Sequence, residues 1–446
     1  MPRNDSPITV QVRSLLAYLA LGCGVLSFMP GATAVGAVSV FVAVLLAWRE
    51  LRFVARMLFA LVVAGALVAL LVQPSALWPA AENMTRLSAL ILTVMLLSSV
   101  LGNSRDLVAI SGSLFNGRPL ARYYSLAFGT GLLSVPLNFG SVGVVGSLIG
   151  HRVRDKGDST VTRNAVRAVL RGFAVSPICS PLSISVVMTV TFLPGLQSWE
   201  LIALSLPVGI LILLGGAWQR EAEAADVVPQ QTDADPGLGP WLRFAGIIAL
   251  ICTGVFSLSG LAGLSYSKSV TLSCFAAVLV GFMARGVHTR RLDVPSMAPV
   301  SNELIIVGGS AFIGALISLV ALTLLGDSVN MPSRAYPVLA LLVPWVFYLG
   351  GAVGFNPIVI GTLVGGVLGP LWPPQAVLGL GMAMVCGWGI TAAGSPYAAN
   401  SLLMERLTGY PARHIGLYWN FRLSMVLLVL TGSLAAGLTV WLAPQA

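Results

Sequence analysis

Two stretches, one in each half of the chain, interrupt apolar sequence with the same set of residues. The first runs Ser134-Val-Pro-Leu-Asn-Phe-Gly-Ser-Val-Gly143 and, after a basic loop, Val175-Ser-Pro-Ile-Cys-Ser-Pro-Leu-Ser183. The second runs Gly351-Ala-Val-Gly-Phe-Asn-Pro-Ile-Val-Ile-Gly361 and then Gly389-Ile-Thr-Ala-Ala-Gly-Ser-Pro-Tyr-Ala-Ala-Asn400. Hydrocarbon offers no partner to a freed backbone N–H or C=O. A helix broken at that depth therefore survives only when it is buried in protein or lines a cavity. A pair of such breaks at corresponding places in two halves is the best sequence pointer to the substrate site of a transporter.

The surrounding sequence is of the kind that puts these breaks in a bilayer. Hydrophobic residues make up 57% of the 446 and charged residues 9%, with a mean hydropathy of +0.90. That balance specifies a multi-pass, all-α membrane protein, here expected in the cell inner membrane with lipid as its principal partner. The apolar run Leu15 to Met29 reads as a first span and not as a cleaved signal. The net charge of +9 marks cytoplasmic loops and not a nucleic-acid partner. Cys23, Cys179, Cys252, Cys274 and Cys386 lie in apolar segments without CxxC spacing, and His151, His288 and His414 are scattered. No disulfide framework, metal site or cofactor is therefore expected beyond a coupling sodium ion.

Apolar runs suited to full spans occur near 12–29, 32–48, 54–72, 84–102, 166–193, 199–217, 241–258, 269–284, 303–325, 375–402 and 416–442, and two more regions, 120–150 and 337–370, are broken in the middle. If each broken region enters and leaves by one side, the N-terminus is inside and the C-terminus outside. Of the 25 Lys and Arg, only Arg86, Lys268 and Arg334 then face outward. If both regions cross, the charges divide almost evenly. The positive-inside rule selects the first arrangement: eleven spans plus two re-entrant hairpins of opposite orientation, an inverted repeat. Trp78, Trp199, Tyr266, Tyr336 and Trp372 fall at the outer ends, at headgroup level. The acidic stretch 219–240, with Glu221, Glu223, Asp226, Asp233 and Asp235, reads as a flexible cytoplasmic linker. The segments 103–119 and 326–337 read as interfacial arms or loops leading into the hairpins.

The candidate site follows from the breakers. Pro136 and Gly140 bracket a turn that offers Asn138 and Ser141, and the second turn offers Asn356 with Thr362 beyond it. Ser176-Pro177 and Ser180-Pro181 open one span, and Gly394-Ser395-Pro396, flanked by Thr391 and Asn400, opens another. Each proline deletes a backbone hydrogen bond, so freed carbonyls can coordinate a cation. The half-helix beyond aims its N–H groups at an anion. The expected substrate contacts are Asn138, Ser141, Asn356, Thr362, Ser180, Ser395 and Asn400. The expected cation ligands are Ser176, Pro177, Ser180, Thr391, Gly394 and Ser395. No Asp or Glu lies deep in a span, which argues against a proton relay built on carboxylates. Arg122, Arg171 and Arg422, near the cytoplasmic span ends, read as side chains that snorkel to the headgroups, the alternative being that they greet an anion.

With its cytoplasmic hairpin before the fifth span, its outer hairpin before the tenth and an asparagine at each tip (Asn138 in Leu137-Asn138-Phe139-Gly140-Ser141, Asn356 in Phe355-Asn356-Pro357), the chain resembles the ion transporter superfamily. That group includes divalent anion/sodium symporters, citrate transporters and the membrane subunits of TRAP transporters. Its sodium/dicarboxylate members carry Ser-Asn-Thr at the tips, of which the asparagines match here. The resemblance implies a homodimeric scaffold (1–119 and 241–336) and a transport unit (120–218 and 337–446) joined by the 219–240 linker and moving as an elevator. The expected function is secondary active, cation-coupled transport of a small organic anion. The alternatives are an exporter or permease for an inorganic oxyanion or neutral solute on the same fold, and a non-transporting sensor or assembly subunit. An intramembrane enzyme would need a nucleophile–base pair or metal ligands at depth, and none is present in the sequence.

Overall fold

The structure, a computed structural model, describes residues 7–102, 104–223, 237–289, 294–325 and 331–443, with the side chains of 7, 286–289 and 320–325 excepted. Asp226, Asp233 and Asp235 of the expected linker, and residues 326–330 of the second arm, lie outside it. All regular structure among the described residues is helical. An apolar chain in lipid must satisfy its backbone within each segment, and the helix does so.

Among the described residues, eleven helical spans are long and apolar enough to cross a membrane. The number agrees with the sequence reading, but the membership differs in one place. The run at 32–48 folds as a helix of only 15 residues, α2 (Ala32–Leu46), because Pro30 and a left-handed Gly31 delay its start and Trp48-Arg49-Glu50 end it. At 1.5 Å per residue it reaches roughly 22 Å, short of the hydrocarbon thickness. Conversely, the first arm of the second broken region, α15 (Ala335–Ala352), is long enough alone, whereas its second arm, α16 (Pro357–Leu368), is not.

Contacts divide the chain into two compact units. The first comprises Met1–Leu97, Gly254–Asn330 and Thr362–Leu371. Its helices are α1 (Pro7–Val25), α2, α3 (Phe53–Val72), most of α4 (Leu77–Gly102), α12 (Tyr266–Thr289), and α13 (Ser301–Leu304) joined through a π-helical turn to α14 (Ser310–Leu325). Small residues hold it together. Gly24, Gly36 and Gly308 each bring a different helix against the Thr85–Ser88–Ala89 face of α4, where any β-carbon would collide. Close backbone approach of this kind drives helix association in lipid. At one end the buried Arg13 donates to Glu50 Oε2 (2.7 Å), Ala298 O (2.8 Å) and Ser301 Oγ (3.2 Å). At another point Lys268 sits 5.5 Å from the Phe28 ring centroid.

The second unit comprises Ser98–Thr253, Met331–Gly361 and Trp372–Ala446. It contains α5 (Arg105–Ser113), α6 (Pro119–Leu137), α7 (Phe139–Lys156), α8 (Thr160–Cys179), α9 (Ile184–Phe192), α10 (Ser198–Gly216), the first part of α11 (Leu238–Gly260), α15, α17 (Val377–Gly394), α18 (Ala399–Thr408) and α19 (Phe421–Leu442). Both spans expected to break do so. One divides into α8 and α9 at Ser180–Ser183, the other into α17 and α18 at Ser395–Ala398. Among the described candidate spans they are the most enclosed, with 89% and 94% of their most apolar stretches buried.

Each turn region is clasped at its base by a ring contact. Phe115, before α6, lies 4.1 Å beneath the guanidinium of Arg152 near the end of α7. Tyr336, at the start of α15, meets Trp372 edge-on at 5.3 Å.

Two sequence readings need correction here. Arg122 and Arg171 do not snorkel. Arg122 is buried and paired with Glu223, and Arg171 is fully buried. A guanidinium keeps its charge when buried, so burial has to be balanced by partners. The start of the linker is also not free. Glu221 binds Arg163 (3.1 Å) and Arg167 (2.7 Å), and Glu223 accepts from Asn164 Nδ2 (2.8 Å) as well as from Arg122.

Candidate functional site

The two helix breaks are built alike. In the first, Ser180 N–H donates to Ser176 O (3.0 Å), Leu182 N–H to Ser180 Oγ (3.3 Å), and Ser183 N–H to Ser180 O (3.1 Å). In the second, Ser395 N–H donates to Thr391 O (2.9 Å), Tyr397 N–H to Ser395 Oγ (3.1 Å), and Ala398 N–H to Ser395 O (3.4 Å). Each residue of one set stands at the same constant spacing in sequence from its counterpart. The serine before each proline thus stays helical on its N-terminal side and caps the departing strand with its own hydroxyl, as a residue pressed out of the helical region by proline can.

The carbonyls freed by Pro181 and Pro396 are not vacant, which corrects the expectation of open cation ligands there. Pro181 lacks the N–H that would reach Pro177 O; the Ser185 hydroxyl donates to that oxygen instead. Pro396 lacks the N–H that would reach Ala392 O, and Asn400 Nδ2 donates to it at 2.7 Å. The next carbonyl, Ala393 O, accepts from Asn420 Nδ2 (3.1 Å). A buried carbonyl left bare is costly, so a donor placed four residues after Pro181 and another four after Pro396 complete the two breaks.

The helices that carry the breaks pack against one another. α8 and α17 cross so closely that a β-carbon on Gly389 would stand 2.5 Å from Ala174 O and would also overlap Ile178. Each is also tied to the turn region of its own half. Ser176 Oγ donates to Ser134 O at 3.4 Å, and Ser395 Oγ to Gly351 O at 2.7 Å, while the Thr391 methyl occupies the space that a side chain at Gly351 would need. α6, α8, α17 and α15 therefore form a continuous packed row, with a break at the end of each of its two inner helices.

The sequence-predicted residues divide by what their polar atoms do. Asn138 sits between α6 and α7 at φ +48°, the only non-glycine residue with positive φ among the described residues. Its backbone accepts from Ser141 N–H (3.2 Å) and Oγ (2.8 Å), and its carboxamide makes no hydrogen bond to a described residue. Ser141 is fully buried, bonded to Asn138 O and to Ser134 Oγ (2.7 Å). Asn356 Oδ1 accepts from Ile358 N–H (2.9 Å), capping α16 across Pro357 and leaving its amide N–H₂ free of described partners. Ser180 Oγ accepts a hydrogen bond but donates none to a described residue. Thr391 Oγ1 donates to Gly387 O (2.7 Å) and Ser395 Oγ to Gly351 O, so both offer only lone pairs. Gly394 is a packing position, since a β-carbon there would lie 2.6 Å from both Ser424 Oγ and Tyr348. Thr362 falls in the first unit, buried, with its hydroxyl unbonded to any described residue. The structure thus gathers Ser176, Pro177, Ser180, Thr391, Gly394, Ser395 and Asn400 into the paired breaks. Asn138, Ser141 and Asn356 stand at the adjoining turns.

Three contributors were not anticipated. Ser185 completes the first break. Asn420 binds Ala393 O and Ile415 O (2.9 Å) and accepts from Arg171 Nε (2.8 Å). Arg171 in turn donates to Tyr123 Oη (2.9 Å), Gly216 O (2.5 Å) and Trp419 O (3.1 Å). The signal for Ser185 was its position four residues after Pro181; nothing in sequence singles out Asn420.

No protein-family model matches this sequence, and no curated protein matches it. Among solved structures, the chain is similar to the YdaH transporter of Alcanivorax borkumensis, described as having an unusual topology. The two share 18% identity and a TM-score of 0.49 over 81% of this chain and 87% of that one. A likeness at that level carries no weight on function.

Proposed function

We propose that the protein is a secondary active transporter of a small organic anion, driven by a coupling cation and working as an elevator with two re-entrant hairpins. The observation that carries this reading is the pair of matched helix breaks, buried at the ends of two helices that pack together and each tied to the turn of its own half. Irregular backbone at the centre of a multi-pass membrane protein is the usual ground for a binding site, and its repetition at constant spacing fits a repeat. The aromatic clasps at 115–152 and 336–372 support helix pairs that return to the side they left. The contact division, with both breaks in one unit, supports a transport unit distinct from a scaffold.

In this reading the Asn138 carboxamide, the Asn356 amide N–H₂ and the Ser180 hydroxyl donate to the anion. Lone pairs of Thr391 and Ser395, with carbonyls not taken by Ser185, Asn400 and Asn420, suit a sodium ion better than a proton, since no deep carboxylate carries one. Uptake by the purified protein in proteoliposomes tests the proposal. Carboxylates, sulfonates, inorganic oxyanions and neutral solutes are presented with a sodium gradient, with a pH gradient and with neither. Sodium-dependent accumulation of a carboxylate is expected. Movement of oxyanions or neutral solutes alone, or driving by pH with indifference to sodium, would overturn it.

A further inference from the structure

Away from the breaks, the second unit carries a groove of about 650 Å³ where the end of α10 meets the start of α19. Arg167, Arg220 and Arg422 line it, with Trp218, Tyr418 and Trp419. We propose that this groove binds the phosphate headgroup of an anionic phospholipid, whose acyl chains lie along α10 and α19.

The charge balance comes first. Arg167 is 7% exposed and lies over the Trp419 ring at 5.0 Å, where it donates to Glu221 (2.7 Å) and Asn164 (3.3 Å). Its Nε–H is buried without a partner among the described residues. Glu221 is already shared with Arg163. Neither Arg220 nor Arg422 meets a carboxylate of a described residue. A phosphate in the groove meets the guanidinium groups of Arg220 and Arg422, neither balanced by a described carboxylate, with Arg167 beside them to share its charge. Basic pockets between helices at the membrane surface hold lipid headgroups in this way.

The surroundings select a lipid over a soluble anion. Trp218 is 91% exposed and Tyr418 60%, an arrangement that is unfavourable in water and at home at headgroup level. The two helices whose ends form the groove carry exposed apolar residues along their length, Leu211 and Leu214 on α10 and Val426 and Val429 on α19. A soluble anion would have no use for those residues, whereas acyl chains would.

The test uses the full-length protein purified in detergent, with its melting temperature followed as phosphatidylglycerol, phosphatidylcholine or inorganic phosphate is added. Phosphatidylglycerol is expected to raise the melting temperature saturably, and phosphatidylcholine is not. The double variant Arg220→Gln/Arg422→Gln is expected to raise the half-saturating concentration at least about tenfold, as loss of charge-assisted hydrogen bonds does. Should that variant not fold, Arg422→Lys set against Arg422→Gln serves, with the lysine variant binding the more tightly. Equal effects of the two lipids, unchanged titration of the variants, or the whole shift produced by inorganic phosphate would each overturn the proposal.

Discussion

At the scale of single residues, Asn138 combines a cost with an unused group. Its φ of +48° and ψ of −126° are ordinary for glycine and strained for other residues, by about 1–3 kcal/mol. Strain of this kind persists where the side chain has a task. Asn138→Gly is expected to fold at least as well as Asn138→Ala, which keeps the strain without the asparagine's tolerance of it. Both should lose substrate affinity by about tenfold to a hundredfold, the worth of a hydrogen bond to a charged ligand. Melting temperature and affinity measured together decide the matter; a glycine variant with full affinity would reduce Asn138 to a turn residue. Tyr410, just beyond α18, gives a second test. Burial, and a hydrogen bond of 2.6 Å from its phenol to the Asp158 carboxylate, push its pKa from 10.0 up to about 12. The unfolded chain therefore loses this proton before the folded one does. The stabilisation is complete below pH 10 and is lost as pH rises from 10 to 12. In Tyr410→Phe that part of the decline should be absent from melting curves taken across this range.

At the scale of elements, the breaks were legible in the sequence because proline and glycine act locally. The placing of Ser-Pro in apolar surroundings required an opening in the helix, and both openings lie where the prolines are. What the openings do with their carbonyls was not legible, because the donors come from the next helix. Ser185 and Asn400 differ as residues and perform the same task. Ser185→Ala and Asn400→Ala are each expected to leave a buried carbonyl bare and to cost about 1–3 kcal/mol, read as lowered melting temperatures. Asn356→Ala removes a helix cap at a partly exposed turn and is expected to cost only about 1 kcal/mol. The crossing of α8 and α17 allows no such latitude. A methyl at Gly389 strikes the backbone of Ala174, which cannot rotate away, so Gly389→Ala should be among the most destabilising single changes in the chain, or abolish folding.

At the scale of the whole molecule, charge counting and hydropathy gave eleven spans. They exchanged α2 for α15, since a sum over residues is insensitive to where a helix starts. Proximity to span ends also misplaced two arginines, read as snorkelling to the headgroups. Arg122 and Arg171 look in sequence like surface charges near a span end, and only the fold reveals Glu223, Asn420 and Tyr123 around them. Glu223→Gln should therefore destabilise by about 3–5 kcal/mol, as removal of one partner from a buried pair does. The hairpin topology has its own test. Cysteines introduced singly at Ala121 and Arg154 flank the clasp of Phe115 and Arg152 and are expected to react with an impermeant label from one side of the membrane, the cytoplasmic one. Labelling of position 154 from the opposite side in intact cells would remove the basis for a returning helix pair.

The use of a hydroxyl in one half and a carboxamide in the other for the same carbonyl bears on ancestry. If the halves arose by duplication, selection has preserved a proton at a point in space and let the side chain that carries it drift. Identity between the halves, or between this chain and distant kin, would then fade quickly while the geometry endured. Such kin are better sought by a rule than by a residue: serine and proline within apolar sequence, and, four places after the proline, any short side chain with a hydrogen to give.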